Sequence, residues 1–219
     1  MTTTVITGAN RGIGLALCRL AGERGDVVVA VCRSSSPELD AAGVEVIDEV
    51  DVTTAEGAAH LATTLTDRPV DILINNAGIL RGDSLDSLDF DGMLEQYRVN
   101  ALGPLRVTRA LLDNLHEGSK VGIVTSRVGS IGDNASGGNY GYRMSKAAAN
   151  MAGVNLHHDL VSRGIAVALL HPGLVGTEMT GGRGIEPDQA ARGLLARIDE
   201  LETSTSGTFW HAEGTPLPW

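Results

Sequence analysis

Thr3-Thr4-Val5-Ile6-Thr7-Gly8-Ala9-Asn10-Arg11-Gly12-Ile13-Gly14 is the stretch on which the fold turns. Thr3 to Thr7 is short and rich in β-branched residues, which reads as a strand. A glycine-rich turn follows, and Gly12 opens a segment of helical spacing that runs to Arg24. In a strand-turn-helix unit of this kind, glycines let the turn close and let the backbone approach a pyrophosphate. The helix N-terminus then offers unpaired N–H groups and a partial positive charge. The spacing here is G-x3-G-x-G, not the G-x-G-x-x-G of many dinucleotide folds. Taken alone, the turn also fits a tight corner with no ligand.

The same alternation repeats downstream. Val27 to Cys32, Val44 to Val50, Ile72 to Asn75, Val121 to Ser126, Ile165 to Leu170 and Gly207 to Trp210 read as further strands. Several are almost wholly apolar, as parallel strands covered on both faces are. Helical patterns span Thr54 to Thr66, Asp91 to Leu115, Gly141 to Arg163 and Pro187 to Leu201. Gly25 and Gly164 stand where helices should stop. Ser34-Ser35-Ser36-Pro37 reads as the loop after the second strand. The expectation is an α/β chain: a single-domain, doubly wound Rossmann-type parallel sheet of about seven strands, with helices on both faces, over residues 1–219.

Composition narrows the function. The 219 residues are 42% hydrophobic and 20% charged, with 28 glycines, enough chain to bury roughly 70% of its unfolded surface in one core. Seventeen basic against 27 acidic side chains give a formal charge of −10, and no Lys/Arg run offsets it. Nucleic acid and an anionic membrane are therefore excluded as expected partners. The longest apolar stretches are six residues, as in Val27 to Cys32, far short of a bilayer span. Met1-Thr2-Thr3-Thr4 has no signal-peptide character, so a soluble, cytoplasmic protein is expected. Cys18 and Cys32 make no disulfide framework or metal site and read as buried thiols. No metal is expected. His157 and His158 are adjacent on a helix and cannot face one ion, and Asp83, Asp86, Asp89 and Asp91 lack calcium-loop spacing. Solvation and helix N-terminal charge account for those acids.

The end of the second strand selects the dinucleotide. An acid there accepts from an adenosine 2′-hydroxyl, whereas a basic residue accommodates a 2′-phosphate. This strand ends Val31-Cys32-Arg33, with no acid before Glu38. Arg33 and Arg11 converging on one phosphate favour NADP(H) over NAD(H); the alternative is two solvated surface arginines.

Tyr142-Arg143-Met144-Ser145-Lys146 opens a long helical segment. Positions i and i+4 share a face, so the phenol and the amine point the same way. An ammonium about 4 Å from the phenol contributes roughly 4 kcal/mol at an effective dielectric of 20. That predicts a phenol lowered by up to about three units, to near 7, where general acid–base groups work best. Tyr140 has Met144 at its own i+4 and reads as a pocket or packing residue.

These segments, with Asp51-Val52, Asn75-Asn76-Ala77-Gly78, Asn100, the strand end at Ser126 and His171-Pro172-Gly173, stand in the order of the short-chain dehydrogenase/reductase family, which the chain resembles over nearly its whole length. Gly129 to Asn134, Gly137 to Arg143 and the ending Pro216-Leu217-Pro218-Trp219 resemble its C-factor and sniffer-type carbonyl reductase branch. The resemblance implies roles residue by residue. Tyr142 would protonate a carbonyl or deprotonate an alcohol, and Lys146 would lower its pKa and hold the nicotinamide ribose. Ser126 would orient the carbonyl oxygen, and Asn100 would hold a water behind Lys146. Gly8, Asn10, Arg11, Gly12, Ile13, Gly14, Arg33, Asp51, Val52, Asn76, Ala77 and Gly78 would bind the cofactor, with Tyr142 and Lys146. Pro172, Gly173, Val175 and Thr177 would line the nicotinamide. The family also pairs subunits through the segment Leu94 to Leu115, which implies a homo-oligomer, dimer or tetramer.

Two departures matter. Ser126 lies 16 positions before Tyr142, longer than the family's usual separation, and that separation lands on Gly129. Ser126 is the expected donor, with Ser130 as the alternative. Only about ten glycine-rich residues separate Thr177 from Pro187, where the family usually carries a longer lid. An open site taking broad or bulky carbonyls is expected. A dinucleotide-binding signalling or redox-sensing protein with little turnover stays open as the alternative function. A nucleotide-sugar epimerase or dehydratase would need a further substrate domain.

Overall fold

The computed structural model describes Met1–Trp219. Its strands are β1 (Thr3–Thr7), β2 (Val27–Val31), β3 (Glu45–Ile47), β4 (Val70–Asn75), β5 (Leu115–Val124), β6 (Ala166–His171) and β7 (Thr208–His211). Its helices are α1 (Gly12–Glu23), α2 (Pro37–Asp40), α3 (Ala55–Thr64), α4 (Phe90–Tyr97), α5 (Gly103–Ala110), α6 (Tyr140–Leu160) and α7 (Pro187–Asp199). All seven strands pair in parallel, in the order β3-β2-β1-β4-β5-β6-β7.

Strand periodicity explains why β2 and most of β4 and β6 are apolar on both faces. Val28, Ala30, Ile74, Ala168 and Leu170 face one core with Leu17 of α1 and Leu194 of α7. Their neighbours Val29, Val31, Leu73 and Val167 face a second core with Leu61 of α3 and Val107 of α5. These strands thus fill two hydrophobic layers, and alternation with polar residues is lost in them. The doubly wound expectation is met.

The strand order reverses between β1 and β4, and at such a point the loops from the two carboxyl ends diverge and leave a crevice. The turn from Gly8 leaves β1 there, and Asn76 leaves β4. Gly25 and Gly164 take the left-handed conformation, φ +91° and +73°, just past helix ends.

Three element expectations are corrected. The helix expected over Asp91 to Leu115 breaks into α4, a widened π-turn at Arg98–Leu102, and α5 ending at Ala110. Leu115 instead begins β5, six residues before the expected start at Val121. Leu111, Leu112 and Leu115 keep helical spacing across Asp113-Asn114, and long-range pairing decides against the helix: Asn114 Nδ2 donates to the carbonyls of Leu65 and Arg68 at 2.6 and 2.8 Å, and Val70 pairs with Leu115. In the second correction, the Ser34–Pro37 loop contains a helix start, because the Ser36 hydroxyl accepts from Leu39 N–H and caps the single turn α2. Third, the strand expected over Val44 to Val50 is regular only over Glu45–Ile47.

Gly14 is the glycine on which the crevice corner depends. A β-carbon there would overlap the Gly8 carbonyl oxygen and lie 2.7 Å from Asn76 Nδ2. Gly14→Ala should therefore destabilise the protein by roughly 1–3 kcal/mol, as overpacking does, and weaken dinucleotide binding. Urea denaturation and a fluorescence titration check it, and parental values in both would contradict the packing described.

Candidate active site

The crevice corner is built by hydrogen bonds between the two diverging loops. Thr7 Oγ1 accepts from the backbone N–H of Asn76 and of Ala77, each at 3.1 Å. Asn76 Nδ2 donates to the carbonyls of Thr7 and Gly8 at 3.0 and 3.2 Å. Gly8 (φ +66°) is pressed so close that a β-carbon would lie 2.8 Å from Ala77 Cα, so glycine is required twice over. Gly12 (φ +55°) faces Thr177, whose Cγ2 would be 3.1 Å from a β-carbon. α1 begins with no side-chain cap and no acid in its first turn. Its leading N–H groups remain available for an anion. A bare glycine wall beside an uncapped helix start fits the diphosphate of a dinucleotide.

One cleft of about 1370 Å³ runs from this corner, larger than a typical small-ligand pocket of roughly 300–1,000 Å³. Gly8, Asn10, Arg11, Gly12, Ile13, Arg33, Asp51, Val52, Asn76, Ala77 and Gly78 line one end. Asn10 Nδ2 donates to Ser34 O at 3.0 Å, and Ser36 Oγ donates to Asn10 O at 2.7 Å, tying the β2 loop to the turn. Burial alone would raise the Asp51 carboxyl. The Thr53 hydroxyl and N–H, with Arg33 and Arg106 nearby, outweigh it and hold the carboxyl below its ordinary range. Arg11 does not point freely at this end: its guanidinium pairs with Glu178 at 3.1 Å, both side chains exposed.

Ser126, Tyr142, Lys146, Pro172, Gly173, Val175 and Thr177 line the same cleft, with Thr177 against Gly12 and Lys146 Nζ beside Gly78. Ser126 is buried at the end of β5 and starts a single 3₁₀ turn, Arg127–Gly129. Gly129, where the usual family spacing falls, packs against α6: a β-carbon would sit 2.7 Å from the Lys146 carbonyl carbon. That position is therefore closed to any donor side chain. Tyr142 lies in the first turn of α6, whose N-terminus is capped from afar. Asp83 accepts the N–H of Tyr140 and, at 2.9 Å, that of Gly141. Asn139, the residue before the helix, supplies no side-chain cap. The phenol's helix is thus fixed by a carboxylate at its positive end.

The two ends of the i, i+4 pair do share a face, with Lys146 Nζ 5.7 Å from the Tyr142 ring centre. The expected phenol near 7 is nevertheless overturned for the protein alone. Burial pushes Tyr142 up to about 12, and hydrogen bonding with Ser126 pulls only partly the other way. Burial also pulls Lys146 down to about 8, its Nζ donating to Val124 O at 3.0 Å. A dielectric of 20 credits the amine with an attraction but omits the desolvation of both groups, and desolvation dominates here.

Three further residues stand behind the lining of the cleft. Gly14 does not line the cleft; it makes room beneath the turn. Asn100 does not line it either. It sits in the π-turn behind Lys146, its side chain bound to Ile79 N, Ile79 O and Ser145 Oγ at 2.8–2.9 Å, so any water-holding role falls to its backbone. Ser130 is buried off the cleft, donating to Trp219 O at 2.9 Å and accepting from Asp133 N at 3.1 Å. The sequence reading missed Asp83 as a cap, because nothing local pairs it with a helix 57 positions away. It also passed over His171, which lines the cleft and is held neutral, down at about 4, by burial and by nearby His211, Arg127 and Lys146. Its place in His171-Pro172-Gly173 was the available signal.

Comparisons with known proteins agree with this geometry. The sequence profile of the family described as short chain dehydrogenase matches residues 2–187. A 1-hydroxy-2-glutathionyl-2-methyl-3-butene dehydrogenase of Rhodococcus sp. (strain AD45) is 48% identical over 226 residues, covering 100% of both chains. C-signal of Myxococcus xanthus is 46% identical over 162 residues, 72% of this chain and 98% of that protein. The solved structure of an NADPH-bound carbonyl reductase from chicken fatty liver superposes with a TM-score of 0.89, at 27% identity, over 100% of this chain and 99% of that one.

A buried amine with one protein acceptor costs stability while it is charged. Lys146→Met should make the protein more stable by about 1–3 kcal/mol at pH 7. Between the folded pKa of about 8 and the ordinary 10.5, only the unfolded chain holds the proton, so parental stability rises with pH there. The gap between variant and parent should narrow from pH 7 to pH 10 in urea denaturation. A variant less stable at pH 7, or a gap that widens, would contradict the burial argument.

Proposed function

The chain belongs to the short-chain dehydrogenase family and is an oxidoreductase, and on that premise we propose that it interconverts a carbonyl and an alcohol with a nicotinamide dinucleotide, NADP(H) in preference to NAD(H). The observation carrying this reading is that Ser126, Tyr142 and Lys146 open onto the same cleft as the glycine cradle. When bound, the nicotinamide supplies or accepts the hydride. Gly8, Asn10, Gly12, Ile13 and Asn76-Ala77-Gly78 would hold the dinucleotide by their backbone, Asp51-Val52 would meet the adenine, and Pro172, Gly173, Val175 and Thr177 would line the nicotinamide.

The chain's own residues handle the proton. A phenol raised to about 12 is protonated at neutral pH, the form that can donate to a carbonyl oxygen. The Ser126 hydroxyl orients that oxygen beside Tyr142 Oη. As the proton leaves, negative charge grows on Tyr142 Oη, and the Lys146 ammonium one turn along stabilises it.

The coenzyme preference rests on Arg33, exposed at the cleft edge, with Arg11 joining once released from Glu178. The short segment after Thr177 folds back on itself through Val175 and Ile185 and leaves Leu174 and Met179 exposed, which suits bulky substrates. The Rhodococcus relative is named for a bulky, glutathionyl-bearing alcohol. Phe90, Leu94 and Tyr97 on α4, with Met144 and Met151 on the adjoining α6, leave an exposed apolar stripe; a homo-oligomer would cover it. No helix is long and apolar enough to cross a membrane. The two free, buried cysteines suit the reducing cytoplasm in which we place the protein.

Mixing the protein with NADPH and reactive aldehydes or ketones should give carbonyl-dependent loss of reduced coenzyme, abolished in Tyr142→Phe. Coenzyme binding with no turnover of any carbonyl would instead favour a dinucleotide sensor. In a fluorescence titration NADPH should bind more tightly than NADH. Arg33→Ala should weaken NADPH binding roughly 10–100-fold, the loss of a charged hydrogen bond, and leave NADH nearly unchanged. Tighter NADH binding in the parent would reverse the preference.

A further inference from the structure

Residues 127–139 connect Ser126 to the helix that carries Tyr142, and Arg127, Val128, Asp133, Ser136 and Asn139 line the cleft. This wall has little regular structure, so its shape depends on anchors. The end near α6 is held by Arg143, whose guanidinium donates to Gly137 O, Gly138 O, Val128 O and Ser136 Oγ at 2.8–3.3 Å. The other end is held by the C-terminal segment, 89 positions away. Trp219 O accepts from Gly132 N at 2.7 Å and from Ser130 Oγ at 2.9 Å. Its indole stacks on the buried Phe209 of β7, ring centres 5.5 Å apart at 22°. Between them the segment pairs with β7: Leu217 N donates to Phe209 O and His211 N to Thr215 O, both at 2.8 Å.

The contacts form an unbroken chain to the reacting centre. Ser130 accepts from Asp133 N at 3.1 Å, Asp133 pairs with Arg127, and Arg127 adjoins Ser126. We infer that Trp219 is a positioning residue for the carbonyl substrate, its stacked ring holding the acceptor that fixes the Ser130–Gly132 end of the substrate wall. This rests on the reductase reading above. The stack supplies the ordering, so it should matter more than the identity of the ring: an aromatic pair contributes about 0.5–1.5 kcal/mol beyond area burial, and the main-chain oxygen needs a fixed tail to serve as acceptor.

The test is steady-state kinetics of Trp219→Ala and Trp219→Phe, with amide hydrogen exchange at Gly132. Trp219→Ala should raise KM for the carbonyl roughly tenfold, about what losing such a stack implies, with kcat and KM for NADPH within about twofold. Trp219→Phe should restore the parental carbonyl KM. Gly132 exchange should accelerate in Trp219→Ala while the α6 amides keep parental protection. An unchanged carbonyl KM in Trp219→Ala overturns the inference, as does a rise for both substrates that Trp219→Phe fails to rescue. If the parent turns over no carbonyl, the reductase reading fails by itself. Gly132 exchange then still decides the clamp: acceleration in Trp219→Ala upholds it, parental exchange removes it.

Discussion

Withdrawal from water is the constraint on which the site depends. The floor of the cleft places a phenol and an amine where neither ionises at its ordinary pH: Tyr142 is pushed up and Lys146 pulled down. Both shifts favour the neutral form, and both follow from desolvation rather than from attraction between the two groups. The amine keeps one protein acceptor, Val124 O, where an ammonium could use three. Such a group is costly to the fold while it is charged.

The rest of the fold holds that floor against a cradle built by close backbone approach. Thr7 and Asn76 lock the β1 and β4 loops together across the sheet reversal, and Gly8 and Gly14 leave no room for a side chain between them. Behind Lys146, the π-turn turns Asn100 onto Ile79 and Ser145, which fixes the helix carrying the phenol relative to the Gly78 loop. Asp83 fixes the start of that helix. The glycine turn and the Tyr142–Lys146 pair are thereby held on one cleft, although they come from opposite halves of the sequence.

Much of this was legible in the sequence because it is local. The β1-turn-α1 unit, the two-faced apolar strands such as Val27–Val31, the helix stops at Gly25 and Gly164, and the shared face of Tyr142 and Lys146 all follow from spacing within a few residues. What was not legible depends on distant partners. Leu115 joins a strand because Val70 and Asn114 place it there; Asp83 caps a helix 57 positions on. Ser130 is bound by Trp219, 89 positions on, and the close packing of Gly14 on Gly8 exists only once the turn has folded. The Tyr142 phenol was placed too low for the same reason: charge separation can be estimated from helical geometry, but depth of burial cannot.

The most direct measurement is a carbon-NMR titration of protein labelled at the tyrosine ring carbon bearing the hydroxyl, with Tyr142→Phe used to assign the signal. Without coenzyme, the Tyr142 resonance should remain that of a neutral phenol from pH 6 through pH 10. A midpoint near pH 7 would show that the neighbouring ammonium governs the phenol and that burial does not.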